Sequence, residues 1–183
     1  MKTAILSFLL SLTFYSVYAC TCSYAGNFSK VAKEADLVAL VKVLDHDDYF
    51  SLFPEYDSTK KPMSVRVEIV VKYSGNEDRK EVKLFGDNGY LCRESILQMK
   101  EGEYYVVAVH KSKNHTWEYG VTETNKDYYI SACGEYLLSY NPAKQTVKGS
   151  IKGKSRLTRV MSVEKFEQIL KKGKVLSPTT PLP

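Results

Sequence analysis

A chain of 183 residues, 44% apolar and 26% charged, supplies one modest domain with a real core and has no need of a second. It carries no internal repeat and no low-complexity segment, which sets solenoids aside. The net charge of +5 is unevenly placed: residues 144–174 hold ten Lys or Arg against only Glu164 and Glu167, without the interleaved aromatics of nucleic-acid binders.

Residues 1–19 read as a secretory signal: Lys2 is the charge, residues 4–17 are an apolar run broken by Ser7, Ser11, Thr13 and Ser16, and Val17-Tyr18-Ala19 fits a cleavage site. The run is shorter than the roughly 20 residues that cross a bilayer. Cleavage after Ala19 makes Cys20 the first residue of an exported protein. Val17-Tyr18-Ala19-Cys20 also resembles a bacterial lipoprotein box, in which Cys20 is acylated and membrane-anchored, but bulky Tyr18 fits that box poorly. Plain secretion is the preferred reading.

The mature chain opens Cys20-Thr21-Cys22, and an extended Cys-x-Cys points both sulfurs to one side. With Cys92 and Cys133 the cysteines are even in number and exported, which favours disulfides over a metal site. Three pairings are formally possible. A Cys20–Cys22 ring is very small, so frameworks that tie the terminus to Cys92 and Cys133 are expected.

Asn27 is placed to cap a short helix with Phe28, Val31, Ala32 and Ala35 on one face. Residues 36–45, DLVALVKVLD, read as a buried strand, and 46–63 as a long polar loop carrying Tyr49, Phe50, Phe53 and Tyr56. Residues 64–73 alternate, with Val65, Val67, Ile69 and Val71 on one side, as a half-buried strand does. Residues 74–76 turn, 81–85 form a shorter strand, and Gly86-Asp87-Asn88-Gly89 delivers Tyr90, Leu91 and Cys92. Residues 95–99 form one helical turn; 103–110, EYYVVAVH, are the most apolar strand, followed by strands at 117–122 and 128–133.

Short strands linked by turns, with helices only at the margins, predict a mainly β fold: a small antiparallel OB-type barrel with short flanking helices and a C-terminal amphipathic helix. A further hairpin is expected from residues 136–140 and 146–151. Ser162 then caps a helix whose apolar face is Val163, Phe166, Ile169 and Leu170, closed by Gly173. The division is therefore signal 1–19, barrel 20–135, basic hairpin-and-helix extension 136–176 packed on the barrel, and frayed tail 177–183. For the basic stretch 144–174, a solvated surface competes with attraction to anionic polymers or a membrane surface.

An enzyme is hard to build here. His46, His110 and His115 are the only histidines, and neither HExxH, GxSxG nor a phosphate-cradling glycine loop is present. Asp47-Asp48 and Glu77-Asp78 read as solvated turns. Asn27 and Asn114 begin glycosylation sequons, which matter only in a eukaryotic host. The free terminus is different: the α-amine of Cys20, with a pKa near 8, is substantially neutral at pH 7 to 8, and with its own carbonyl oxygen can close a five-membered chelate on a metal. A catalytic zinc keeps an exchangeable water, so such a chelate displaces that water from another protein's active site while Thr21 points toward its substrate pocket.

Cys-Thr-Cys after a signal, ADLVALVKV, VRVEIVVKYSG, a Cys after a Gly-containing loop, GEYYVVAV and ISACG together resemble the inhibitory domain of the tissue inhibitors of metalloproteinases, within the netrin-like OB-barrel family. The resemblance spans roughly residues 20–135, and its specific part is the Cys-Thr-Cys opening. It implies bridges Cys20–Cys92 and Cys22–Cys133, chelation of the target's zinc by Cys20, specificity-pocket contact by Thr21, and a second contact from Tyr90 and Leu91. The implied protein is a secreted, monomeric inhibitor of zinc metalloendopeptidases with no cofactor of its own and no nucleic-acid partner. The alternative is a secreted or lipid-anchored netrin-like binding module. Departures are the missing third disulfide, the missing cysteine-rich second domain, and Ser23-Tyr24-Ala25-Gly26 in place of the prolines of animal members.

Overall fold

A computed structural model describes residues 21–51, 59–87, 89, 91–117, 120–153, 157–173 and 175. Strand β1 (Leu37–Phe50) organises the rest. It pairs antiparallel with β2 (Lys61–Gly75) along nearly its whole length, and its first six residues also pair with β4 (Tyr104–Lys111) on the other side. β3 (Glu81–Phe85) lies beside β2. β7 (Tyr128–Tyr129) lies beside both β3 and β4. The order β1-β2-β3-β7-β4-β1 closes five strands into a barrel, antiparallel except for the parallel pair β3–β7. Three register shifts, at Val38/Ala39, Leu40/Val41 and Val43/Asp45, increase the twist that lets one strand serve two neighbours.

The run DLVALVKV is apolar without alternation because both of its faces are buried. Leu37, Ala39 and Val41 share one face with Val109, Val107 and Tyr105; Val38 and Leu40 share the other with Ala108 and Val106. Helices α1 (Phe28–Val31) and α2 (Val163–Lys172) add to this same core. Phe166 stands 5.8 Å from the Phe28 ring and edge-on to Tyr73 at 5.9 Å. Burying one such phenyl group contributes roughly 2 to 3 kcal/mol.

Beyond the barrel the sheet continues through β8 (Leu137–Asn141), β9 (Thr146–Gly149) and β10 (Arg159–Ser162). β8 pairs with the first half of β4 and β7 with its last two residues, so both share one edge. α2 starts where Ser162 accepts a hydrogen bond from the Lys165 amide, carries Glu164 in its first turn and Lys171 and Lys172 in its last, and ends at Gly173. Those charges complement the helix dipole. Val163, Phe166 and Leu170 are its buried face.

Several expected boundaries are corrected. Residues 46–50 belong to β1 and 61–63 to β2, so the long loop shrinks to 51–60, of which 52–58 lie outside the described residues. The polar stretch stays in the hairpin because its acids find cations: Arg66 binds Asp45 through two nitrogens, and Lys83 lies 2.9 Å from Asp47 and 2.8 Å from Asp48. α1 is a single turn; the Asn27 side chain binds the Gly153 carbonyl and Ser29 instead of capping it. Of the strand expected at 117–122, only Thr122 is in one, β6 (Thr122–Glu123), which pairs with β5 (His115–Thr116); Trp117, Gly120 (φ 80°) and Val121 are in neither helix nor strand, and 118–119 lie outside the described residues. The strand expected at 128–133 ends at Tyr129, because Ile130 turns its carbonyl to Glu94 while its amide still binds Phe85.

Glu77 is also no solvated turn residue. It is buried, accepts from Arg79 Nε at 2.9 Å and Nη2 at 2.6 Å, and accepts from the Tyr128 hydroxyl at 2.9 Å. It thus ties β7, the shortest barrel strand, to the β2–β3 turn. The Arg79 guanidinium, then its backbone amide and the Tyr128 hydroxyl, hold the Glu77 carboxyl at about 2 against an ordinary 4.5. A depressed carboxyl contributes stability that is complete above the unfolded-state pKa and is lost as pH falls through the folded one. Stability to urea is therefore expected to fall as pH drops from 4.5 to about 2. Glu77→Gln should lose on the order of 2 kcal/mol at pH 7 and show a shallower acid limb. An acid limb identical in the two proteins would show that Glu77 does not hold the seam.

Candidate functional site

Three segments meet beside the barrel: residues 21–26, the described residues 87, 89 and 91–94, and 130–135. The first is in neither helix nor strand. Thr21, Cys22, Ser23 and Tyr24 are exposed, and the chain becomes buried only at Gly26. What holds it is the opposite segment. Cys22 is bridged to Cys133 with the Cα atoms 5.7 Å apart. The Ala25 amide donates to the Cys133 carbonyl at 2.6 Å, and the Glu135 amide donates to the Gly26 carbonyl at 3.0 Å. Gly26 sits at φ 137°, where a Cβ would run into Lys30 at 2.6 Å, so this bend into α1 requires glycine. The Tyr24 hydroxyl reaches Glu135 Oε1 at 3.5 Å.

The second segment lies against the third. The Ala132 amide donates to the Cys92 carbonyl at 3.1 Å, the Glu94 amide to the Ile130 carbonyl at 2.9 Å, and Arg93 bridges Ser131. Cys92 thus sits beside the residue that precedes Cys133, and it is itself disulfide-bonded. Asp87 closes the preceding loop: Oδ1 accepts from the amides of Gly89 at 2.8 Å and Leu91 at 3.1 Å, while its own amide donates to the Glu94 carbonyl. Leu91 is half-buried against a small cluster of Phe50, Met63, Phe85 and Val121. Arg93 is anchored from below, by Glu123 at 2.9 Å and by the Tyr129 ring at 4.7 Å.

Of the expected site residues, Thr21 and Cys22 stand exposed at this junction and Leu91 lies on the adjoining segment, its side chain partly committed to the small cluster. Cys20 and Tyr90 lie outside the described residues, and with Cys20 the expected Cys20–Cys92 bridge. The Cys22–Cys133 bridge is present. Tyr24, Asp87, Arg93, Glu123 and Glu135 were not singled out from the sequence. Asp87 had a signal, being an Asp two residues before a Gly in a turn; the Arg93–Glu123 pair spans 30 residues and left none.

The three histidines are held by different elements. His46 is half-buried on β1 with Nε2 3.3 Å from the Ile96 carbonyl, His110 lies beside Tyr129 and Tyr136, and exposed His115 meets Trp117. Among the described residues no group of three or more His, Cys, Asp or Glu is arranged to hold a metal ion. What the junction offers chemically is an exposed, backbone-anchored edge rather than a pocket of titratable groups. No protein-family model matches the chain, and no curated protein matches it.

The bridge joins residues 111 apart, and in the chain-entropy model a loop of that length contributes at most about 4 to 5 kcal/mol. Replacing Cys22 and Cys133 together by Ser is expected to lower unfolding free energy by about 3 kcal/mol. It should also speed hydrogen exchange at the Ala25 and Glu135 amides relative to the barrel strands. A loss under about 1 kcal/mol, with unchanged exchange at both amides, would mean that the hydrogen bonds alone hold the segment.

Proposed function

We propose that this chain is a secreted protein inhibitor of zinc metalloendopeptidases, a netrin-like OB barrel of the kind found in the inhibitory domain of the tissue inhibitors of metalloproteinases. It acts on its target without catalysing a reaction. Export and removal of residues 1–19 leave Cys20 with a free α-amine. That nitrogen and the Cys20 carbonyl oxygen take the coordination positions that a catalytic zinc otherwise gives to water and substrate. The zinc is the target's. Thr21 enters the adjoining specificity pocket, and residues 90–91 make a second contact.

The observation that carries this reading is the exposed 21–24 segment, fastened to residues 133–135 by the Cys22 bridge and two backbone hydrogen bonds. An edge held in this way loses little conformational freedom on binding, and preorganisation of that sort raises affinity without new contacts.

A second reading, a binding module that uses the basic extension, is favoured by one observation. A depression of about 590 Å³ on the β8–β10 face is bordered by Lys144 and Lys148, neither of which has an ion-pair partner among the described residues. In that reading the partner is an anionic polymer or membrane surface and the amino terminus is idle.

Adding one alanine before Cys20, or acetylating Cys20, separates the two. Inhibition across a panel of zinc metalloendopeptidases is expected to weaken by at least about 100-fold, near 2.7 kcal/mol, because either change alters the chelating nitrogen. Equal inhibition by the extended and unextended proteins would exclude chelation through the terminus.

A further inference from the structure

A second candidate site lies beside the β5–β6 hairpin and shares Arg93 and Glu123 with the edge of the junction. A cavity of about 420 Å³ opens between the end of β4, this hairpin and Arg93, within the roughly 300–1,000 Å³ range of small-molecule sites. Lys111 and Lys113 border it, and among the described residues neither ammonium group has an ion-pair partner. His115 and Trp117 line it as an edge-to-face pair with ring centroids 4.2 Å apart. Glu123, only 1% exposed, also lines it. One Glu123 oxygen, Oε2, binds Arg93. The other, Oε1, is buried with no hydrogen-bond partner, and so is the indole N–H of Trp117.

Buried polar atoms in folded proteins are normally paired, and leaving one orphaned carries its full desolvation cost. Here one strong acceptor and one donor are orphaned just behind the lining of the same cavity, beside Lys111 and Lys113, which have no ion-pair partner among the described residues. An inorganic anion would answer the lysines and leave the Glu123 carboxylate facing a like charge. A neutral sugar would answer the carboxylate and the indole and leave the lysines unused. A ligand that satisfies all of them carries hydroxyls, an apolar ring face and a negative group.

We propose that this cavity is a binding site for an anionic pyranose, such as a hexuronic acid. One ring hydroxyl donates to Glu123 Oε1, another oxygen accepts from the Trp117 indole, the C–H face of the ring lies on the Trp117–His115 pair, and the negative group lies between Lys111 and Lys113. Both Glu123 Oε1 and the Trp117 indole nitrogen are buried and are reached by a shift of β5–β6, a hairpin of only two residue pairs, His115↔Glu123 and Thr116↔Thr122. Hairpins that small open at little free-energy cost. The site is independent of the inhibitor reading.

Trp117 is the only tryptophan in the chain, so its indole N–H gives one unambiguous NMR signal at the wall of the cavity. Sodium glucuronate, glucose and sodium sulfate are titrated separately into the nitrogen-15-labelled protein. Glucuronate is expected to move the indole signal saturably in the millimolar range, glucose to bind at least about tenfold more weakly, and sulfate to leave the signal in place. Replacing Lys111 and Lys113 together by Ser should weaken glucuronate by about tenfold or more while leaving the amide spectrum of the barrel unchanged. The proposal is overturned if glucuronate gives no saturable movement, if sulfate moves the signal with equal affinity, or if the double variant binds as the parent does.

Discussion

The fold hinges on the double pairing of β1. A strand that hydrogen-bonds to β2 on one edge and β4 on the other leaves neither edge free where the two pairings overlap, and it closes the sheet on itself. Closure leaves the sheet's free edge to the β8–β10 extension, where β10 is only four residues long, and short edges limit edge-to-edge aggregation. It also fixes which parts of the chain meet beside the barrel. The seam opposite β1 is much thinner, two residue pairs of parallel β3–β7, and it is there that a buried carboxylate, a guanidinium and a tyrosine hydroxyl reinforce the closure.

Residues 21–26 illustrate how a closed scaffold positions a chain that has no regular structure of its own. Residues 21–24 have neither helical nor strand hydrogen bonds, yet they leave the barrel along a defined line. Cys22 is bridged to Cys133, and Ala25 and Gly26 are hydrogen-bonded to residues 133–135. Residues 92–94 lie on the other side of the same 130–135 stretch. The sulfur chemistry and the backbone pairing thus act on one junction. The proposed inhibitory function is a use of that junction: a terminus aimed by its surroundings presents its chelating atoms with little entropy left to lose.

Much of this was legible in the sequence, and the gaps have physical causes. Alternation in VRVEIVVKY and the continuous apolar run of EYYVVAVH report burial directly, so β2, β4 and the barrel could be read. Ser162 and Gly173 marked the ends of α2 for the same local reason. Residues 46–50 read as loop because the charges of Asp47 and Asp48 are compensated across the sheet, by Lys83 and the Ser64 hydroxyl, and such pairing at a distance leaves no local trace. β10 went unseen since a four-residue edge strand with exposed Val160 carries no periodicity. The burial of Glu123 was hidden likewise, because its partner Arg93 lies 30 residues away; that of Glu77 was hidden because the Tyr128 hydroxyl that covers it comes from 51 residues away, although Arg79 is a near neighbour. At the candidate site the cysteines and Thr21 were visible by type and spacing, whereas Asp87, Arg93 and Glu135 act through backbone or long-range contacts.

The measurement closest to the heart of the inhibitor account is the intact mass of the exported natural protein under non-reducing conditions, together with the identity of its first residue. The account predicts a chain that begins at Cys20, carries an unmodified α-amine, and lacks the thiol hydrogens of two disulfide bridges. A retained leader, or the added mass of an acyl or lipid group on Cys20, would contradict it, since in either case the nitrogen required for zinc is no longer free.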